Sequence, residues 1–214
     1  EIKKAAVLGA GVMGATIVAH STNAGIECYL LDIIPFELTE ADKAKGLTEK
    51  SPAWRNRFAA NGLAGVTKSK PASFYSKKNA SMITIGNFED NLGWLADCDW
   101  VIEVVVENLK IKQELFAKVE KIVKPTCIVS TNTSGLPIGD ISAKFGKSLA
   151  GRPVFRFAVA APIARTVNGG IENRVAANVG AKELTAIPVL AVLCPALFHF
   201  EDKARRSLVA RPTG

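Results

Sequence analysis

The sequence predicts an α/β protein, a doubly wound, mainly parallel sheet in three α/β/α layers. Three observations carry that expectation. Short apolar runs near residues 5–8, 28–31, 82–85, 100–106 and 127–129 alternate with segments of helical period, as parallel strands joined by crossover helices do. The run Trp100-Val101-Ile102-Glu103-Val104-Val105-Val106 is nearly continuous in apolar residues, which suits a strand covered on both faces. Polar residues gather just after the strands, at Asp32, at Glu107 and over 130–134, where open α/β sheets place ligands.

Residues 5–8 are the first strand, and Gly9, Gly11 and Gly14 follow it at G-x-G-x-x-G spacing. The first glycine permits a tight turn, the second lets a pyrophosphate reach bare backbone, and the third lets a helix pack on the strand. From Ala15 the pattern is helical, and Gly25 suits its C-terminal end. Gly9, Ala10, Gly11, Val12, Met13 and Gly14 are therefore expected to cradle a dinucleotide pyrophosphate at a helix N-terminus. The glycines and Asp32 argue against a signal peptide, and no Lys follows Gly14 as a P-loop requires.

Residues 27–32 form the second predicted strand, ending on Asp32. A carboxylate there accepts hydrogen bonds from adenosine ribose hydroxyls and repels a 2′-phosphate, so it selects NAD over NADP. Residues 36–81 are polar and lysine-rich, with a helix expected over 53–63. Lys68, Lys70, Lys77 and Lys78 crowd its far end, either as a solvated face or as point charges for phosphates. A short strand at 82–85, a connecting segment at 87–96 and the strand at 100–106 lead to Glu107. Residues 109–123 place Ile111, Leu115, Phe116, Val119 and Ile122 on one helical face, and Pro125 ends the helix. A strand beginning at 127–129 runs into Ser130-Thr131-Asn132-Thr133-Ser134, and Pro137 stands near the next helix start. Taken alone, Ser134 reads as an N-cap.

At 214 residues the chain can bury a full core, and 48% apolar with 22% charged residues is ordinary globular composition. Cys28, Cys98, Cys127 and Cys194 have no C-x-x-C spacing; they read as reduced core residues of a cytoplasmic protein, with no metal framework. The longest uncharged run, 184–200, is interrupted by Pro188 and Pro195, so no membrane span is expected. The net charge of +7 is uneven: residues 1–150 hold 18 basic and 16 acidic side chains, residues 151–214 hold 9 and 4. Basic type also switches, from 16 Lys and 2 Arg to 2 Lys and 7 Arg, and half of the ten prolines fall in the later segment. The expected organisation is a dinucleotide-binding domain over 1–150 and a divergent Arg/Ala/Pro-rich segment over 151–214. The arginines lack the aromatic interleaving of a nucleic-acid surface, and no nucleic-acid partner is expected. A genuine divergence and a shifted reading frame in GC-rich DNA would both yield that composition.

From about residue 2 to about residue 150 the chain resembles the NAD-binding domain of the 3-hydroxyacyl-CoA dehydrogenases of fatty-acid β-oxidation, especially the long bacterial bifunctional forms with an enoyl-CoA hydratase part. The resemblance rests on the glycine segment, on Ala59-Ala60-Asn61-Gly62-Leu63 and on Gly86-Asn87-Phe88-Glu89-Asp90. Two further stretches are the most specific: Val106-Glu107-Asn108-Leu109-Lys110-Ile111-Lys112 and Ser130-Thr131-Asn132-Thr133-Ser134. It implies a Rossmann-type fold, NAD as cofactor and an acyl-CoA substrate. It further implies that Gly9 to Gly14 hold the pyrophosphate and Asp32 the adenosine ribose. Glu107 and Lys112 would lie near the nicotinamide half, and Ser134 would be the catalytic serine that hydrogen-bonds the substrate oxygen. The family's general base, a histidine in a His-Phe-Phe-Asn-Pro motif, has no counterpart: the region reads Pro153-Val154-Phe155-Arg156-Phe157-Ala158, and the only histidines are His20 and His199. The family is homodimeric through a helical C-terminal domain, for which 151–214 leaves no room.

Overall fold

The structure, a computed structural model, describes residues 1–133, 135–137 and 140–141, together with the backbone of 154–156. Six parallel strands form one sheet in the order β3-β2-β1-β4-β5-β6. In chain order they are β1 (Lys4–Leu8), β2 (Glu27–Asp32), β3 (Ile83–Asn87), β4 (Trp100–Glu103), β5 (Ile128–Thr131) and β6 (Val154–Arg156). The helices are α1 (Val12–Asn23), α2 (Glu40–Ala44), α3 (Pro52–Arg55), α4 (Arg57–Thr67) and α5 (Leu109–Val119). The order 3-2-1-4-5-6 is the doubly wound dinucleotide-binding arrangement, with its reversal between β1 and β4.

Ala5, Ala6, Val7 and Leu8 of β1 are wholly buried, as is expected of a central parallel strand covered on both faces. α1 packs through Ala15, Val18, Ala19 and Thr22, spaced as one helical stripe. Gly25 follows with φ +82°, the left-handed conformation that ends a helix without a Cβ penalty. α5 buries Leu115, Phe116 and Val119 in the main core with Leu8, Leu31, Val101 and Val129. The Cys28 and Cys98 thiols lie in the core, where burial pushes both up to about 12.

Several boundaries differ from the sequence reading. The helix expected over 53–63 is two short helices, α3 and α4, and the connecting segment before β4 holds a 3₁₀ turn at Leu92–Asp97. The strand expected over 100–106 ends at Glu103, because the Val104 carbonyl abuts the Gly9 turn and the Glu103 carboxylate captures the Val105 N–H. β6 lies beyond residue 150, where composition placed the domain end; the compact unit comprises Glu1–Ala158.

The N-terminal rim of the sheet is tied by charges. Lys4 Nζ lies 2.9 Å from Asp97 Oδ2 and over the Tyr29 ring, and Tyr29 packs on Trp94. Asp99 accepts the Lys3 and Lys4 backbone N–H groups and lies 2.5 Å from Lys124 Nζ. The opposite rim carries the candidate site.

Among the described residues no helix is long and apolar enough to cross a membrane, and no cluster of three or more His, Cys, Asp or Glu side chains could hold a metal. Cys194 and the uncharged run 184–200 lie outside them.

Candidate cofactor site

Each glycine of the 9–14 turn meets a different steric demand. Gly9 has φ +110°, and a Cβ on it would lie 2.6 Å from Val104 O. A Cβ on Gly14 would lie 1.8 Å from Gly9 O, so α1 can approach β1 this closely only with glycine there. Gly11 differs: a Cβ there would meet nothing within 4 Å. The open space lies over the exposed backbone of the turn, where a pyrophosphate fits. Gly11 is the N-cap of α1, so the first-turn N–H groups of Val12, Met13 and Gly14 have no intrahelical partner and favour an anion. Ala10 is buried and Val12 stands 85% exposed at the rim. The residues therefore fit a dinucleotide: a tight turn, an open face and a helix N-terminus in one place.

Asp32 closes β2 beside this turn. Its Oδ2 accepts the Ala10 N–H and its Oδ1 the Ile33 N–H, both at 2.7 Å. Each carboxylate oxygen has a second lone pair, so ribose hydroxyls can still be accepted. Asp32 thus braces the glycine turn as well, a role the sequence reading missed.

Behind the turn stands α4. A Cβ on Gly62 would lie 2.3 Å from Ala10 O, so this glycine seats the helix directly on the cradle. The start of α4 is anchored by the polar end of β3. Asn87 Nδ2 donates to Asn56 and Asp90, and Arg55 makes a bidentate pair with Asp90 at 2.5 and 2.8 Å. The 59–63 and 86–90 stretches are accordingly scaffold: they hold the helical excursion that backs the turn.

Beyond the crossover, Glu107 Oε1 accepts bonds from Thr133 Oγ1 at 2.7 Å and Gly135 N at 2.5 Å. These two residues flank Ser134, which itself lies outside the described residues. Lys112 stands close by, enclosed in this conformation. Its side chain is 1% exposed, with Nζ 2.6 Å from Glu103 Oε1 and 3.2 Å from Val105 O. Lys112 and Glu103 thus form an enclosed charged layer at the strand end. Glu103 and Thr131, which the sequence reading passed over, complete that layer, with the Thr131 hydroxyl donating to Glu103 Oε2. An acid inside an apolar run, with a lysine nine residues on, was the available signal for Glu103.

The family described as 3-hydroxyacyl-CoA dehydrogenase, NAD binding domain, matches residues 4–152. A probable 3-hydroxyacyl-CoA dehydrogenase of Bacillus subtilis is 48% identical over 142 residues, 66% of this chain and 18% of that protein. The fatty acid oxidation complex subunit alpha of Pseudomonas putida strain GB-1 is 32% identical over 200 residues, 91% of this chain and 26% of its own length. The chain thus spans about a fifth to a quarter of these two curated relatives. The crystal structure of M. tuberculosis FadB2 superposes with a TM-score of 0.50 at 27% identity, covering 73% of this chain and 49% of that one. The family match covers more than half of the chain and lies over the turn, the crossover and the strand ends described above. The chain belongs to the NAD-binding domain family of the 3-hydroxyacyl-CoA dehydrogenases.

Proposed function

We propose that this chain is the NAD-binding part of an NAD-dependent 3-hydroxyacyl-CoA dehydrogenase of fatty-acid β-oxidation, working in the cytoplasm. The observation that carries the reading is the open face at Gly11, set above the β1/β4 crossover with Asp32 bonded to the adjoining Ala10. Bound NAD would supply the acceptor for the hydride that leaves C3 of the 3-hydroxyacyl-CoA. Gly9 to Gly14 and the α1 N-terminus would hold the pyrophosphate, Asp32 the adenosine ribose and Glu107 the nicotinamide half. Lys112 is a supporting residue in this reading. Ser134 would donate a hydrogen bond to the substrate oxygen, orienting C3 toward the nicotinamide.

The proton of the substrate hydroxyl needs an acceptor. The family's histidine is missing, and a serine is a poor base near pH 7. His20, one of two histidines, sits on α1. Loss of a positioned general base costs about 10²–10⁴-fold in rate. That missing base favours a second reading, an NAD-binding module that does not turn over by itself. The binding domain would run from the first strand through β6, and the Arg/Ala/Pro-rich residues after it would be a divergent segment in either case.

The test is a titration of the chain with NADH and NADPH, followed by NADH oxidation with acetoacetyl-CoA. Tight NADH binding, weak NADPH binding and little turnover are expected. Equal affinity for the two cofactors refutes the Asp32 assignment. A turnover number on the order of 1–10³ s⁻¹ refutes the non-catalytic reading and requires another base.

A further inference from the structure

At the C-terminal end of β3, Asn87 is 1% exposed, and every bonding position of its side-chain amide is used within the chain. Nδ2 donates to Asn56 Oδ1 at 2.7 Å and to Asp90 Oδ2 at 2.8 Å. Oδ1 accepts the Glu89 and Asp90 N–H groups at 3.0 and 2.8 Å, which closes a tight turn over residues 87–90. A buried amide so engaged holds firmly whatever it joins, because an unmade bond at this depth costs the desolvation of the partner left behind.

What Asn87 joins are the two neighbours of the glycine turn. The first is β2. Asn87 pairs with Asp32 in the sheet register, and the Phe88 N–H, inside the turn that Asn87 closes, donates to the Asp32 carbonyl at 2.9 Å. The second is α4. Asn56 is its N-cap residue, Arg55 just before it holds Asp90, and Gly62 in the same helix abuts Ala10 O. The two routes meet again where Asp32 Oδ2 accepts the Ala10 N–H. Asn87, Asn56, Gly62, Ala10 and Asp32 thus lie on one closed ring. Acid and glycine turn meet at one side-chain bond of that ring, and Asn87 is the junction opposite.

We propose that Asn87 is a positioning residue for cofactor choice: it sets where the Asp32 carboxylate stands against the glycine turn, and so how strongly a 2′-phosphate is rejected. The proposal rests on the reading of Asp32 as the residue that meets the adenosine ribose. Hydrogen bonds weaken steeply with misalignment. A carboxylate that drifts from its place bonds the ribose hydroxyls less well and crowds a 2′-phosphate less. Loss of Asn87 therefore moves the two dinucleotides toward equal affinity, and it does so through Asp32.

A double-mutant cycle on the full chain tests this, with NADH and NADPH as titrants and thermal unfolding recorded for every variant. Asn87→Ala, Asp32→Ala and the double variant are compared with the parent. The quantity read is the ratio of the NADPH to the NADH dissociation constant. Asn87→Ala is expected to lower that ratio about threefold to tenfold, the range of one lost neutral hydrogen bond. In the Asp32→Ala background the same change should leave the ratio within about twofold. A residue that only held the fold together would lower the melting temperature and weaken both cofactors alike, with the ratio unmoved. An unmoved ratio therefore overturns the proposal, as does a shift of equal size with and without Asp32. If Asn87→Ala does not fold, Asn56→Ala removes the arm to α4 and carries the same cycle with a smaller shift. A parent chain that binds both cofactors equally, or neither, refutes the Asp32 assignment itself, and this inference with it.

Discussion

Two glycines on one helix allow the seating of α4 on the cofactor turn to be measured. Gly62 and Gly65 both lie in α4, three residues apart. Alanine at either gains up to about 1 kcal/mol in helix propensity. At Gly65 nothing lies within 4 Å of the new methyl, so that gain is realised, less some reduction because the site is in the last turn. At Gly62 the methyl would lie 2.3 Å from Ala10 O and 3.0 Å from Ala10 Cβ. Ordinary contact begins near 3.4 Å, so helix or turn must move by roughly 1 Å. The turn cannot yield cheaply, since Asp32 holds the Ala10 N–H and Leu31 O holds the Gly9 N–H at 2.7 Å. Overpacking of this kind costs about 1–3 kcal/mol. Gly62→Ala should therefore be less stable than Gly65→Ala by about 1–3 kcal/mol, where propensity alone would make them equal, at ~2–4 °C of melting temperature per kcal/mol. Urea denaturation of Gly62→Ala, Gly65→Ala and the parent gives the comparison, and NADH titration should show weaker binding only for Gly62→Ala. Equal stabilisation by both alanines would mean that α4 does not rest on Ala10, and the reasoning fails.

Asp32→Ala removes the barrier to a 2′-phosphate and also the brace on Ala10. NADH affinity should fall about tenfold or more while the NADH/NADPH ratio narrows, and a ratio that stays fixed in competition titrations refutes the dual role. At the far rim the Lys124 ammonium, with the Lys3 and Lys4 N–H groups, holds the Asp99 carboxyl down to about 2; Arg57, with Thr39, does the same for Asp42. Both lie below the ordinary 3.8, so their contribution is complete above about pH 4 and lost as pH falls toward 2. The urea midpoint should drop between about pH 4 and about pH 2, less steeply in Lys124→Met, and a flat profile counts against these pairs. Lys112→Met alone leaves Glu103 buried without its counter-charge and should destabilise by about 3–5 kcal/mol, a loss visible in the melting temperature.

The cradle was legible in the sequence because sterics dictate it. Gly9 and Gly14 stand where a Cβ would clash, Gly11 leaves its face open, and Asp32 ends the neighbouring strand. The doubly wound parallel sheet followed from alternation and buried apolar runs. The helical breaks between β2 and β3 did not, because α3 and α4 are divided by a tertiary network, Arg55 and Asn56 meeting Asp90 and Asn87, rather than by a local breaker. The end of β4 was overextended because Val104, Val105 and Val106 are apolar but already turning; what turns them is a carboxylate bond from Glu103, invisible to periodicity. Lys112 was placed by family position near the nicotinamide half, and its ion pair with the buried Glu103 could be read only from the structure.

The charged ties at Lys4, Asp97, Asp99 and Lys124 gather at one end of the strands, and the cradle gathers at the other. Four residue steps along β4 separate Asp99 from Glu103, about 13 Å at ~3.3 Å each. Sites so far apart change almost independently. Sequence drift or engineering at the charged rim can therefore tune how firmly the domain holds together while the preference for one dinucleotide over another is left alone. The charged rim is therefore a place where robustness can change without any change at the positions that choose the cofactor.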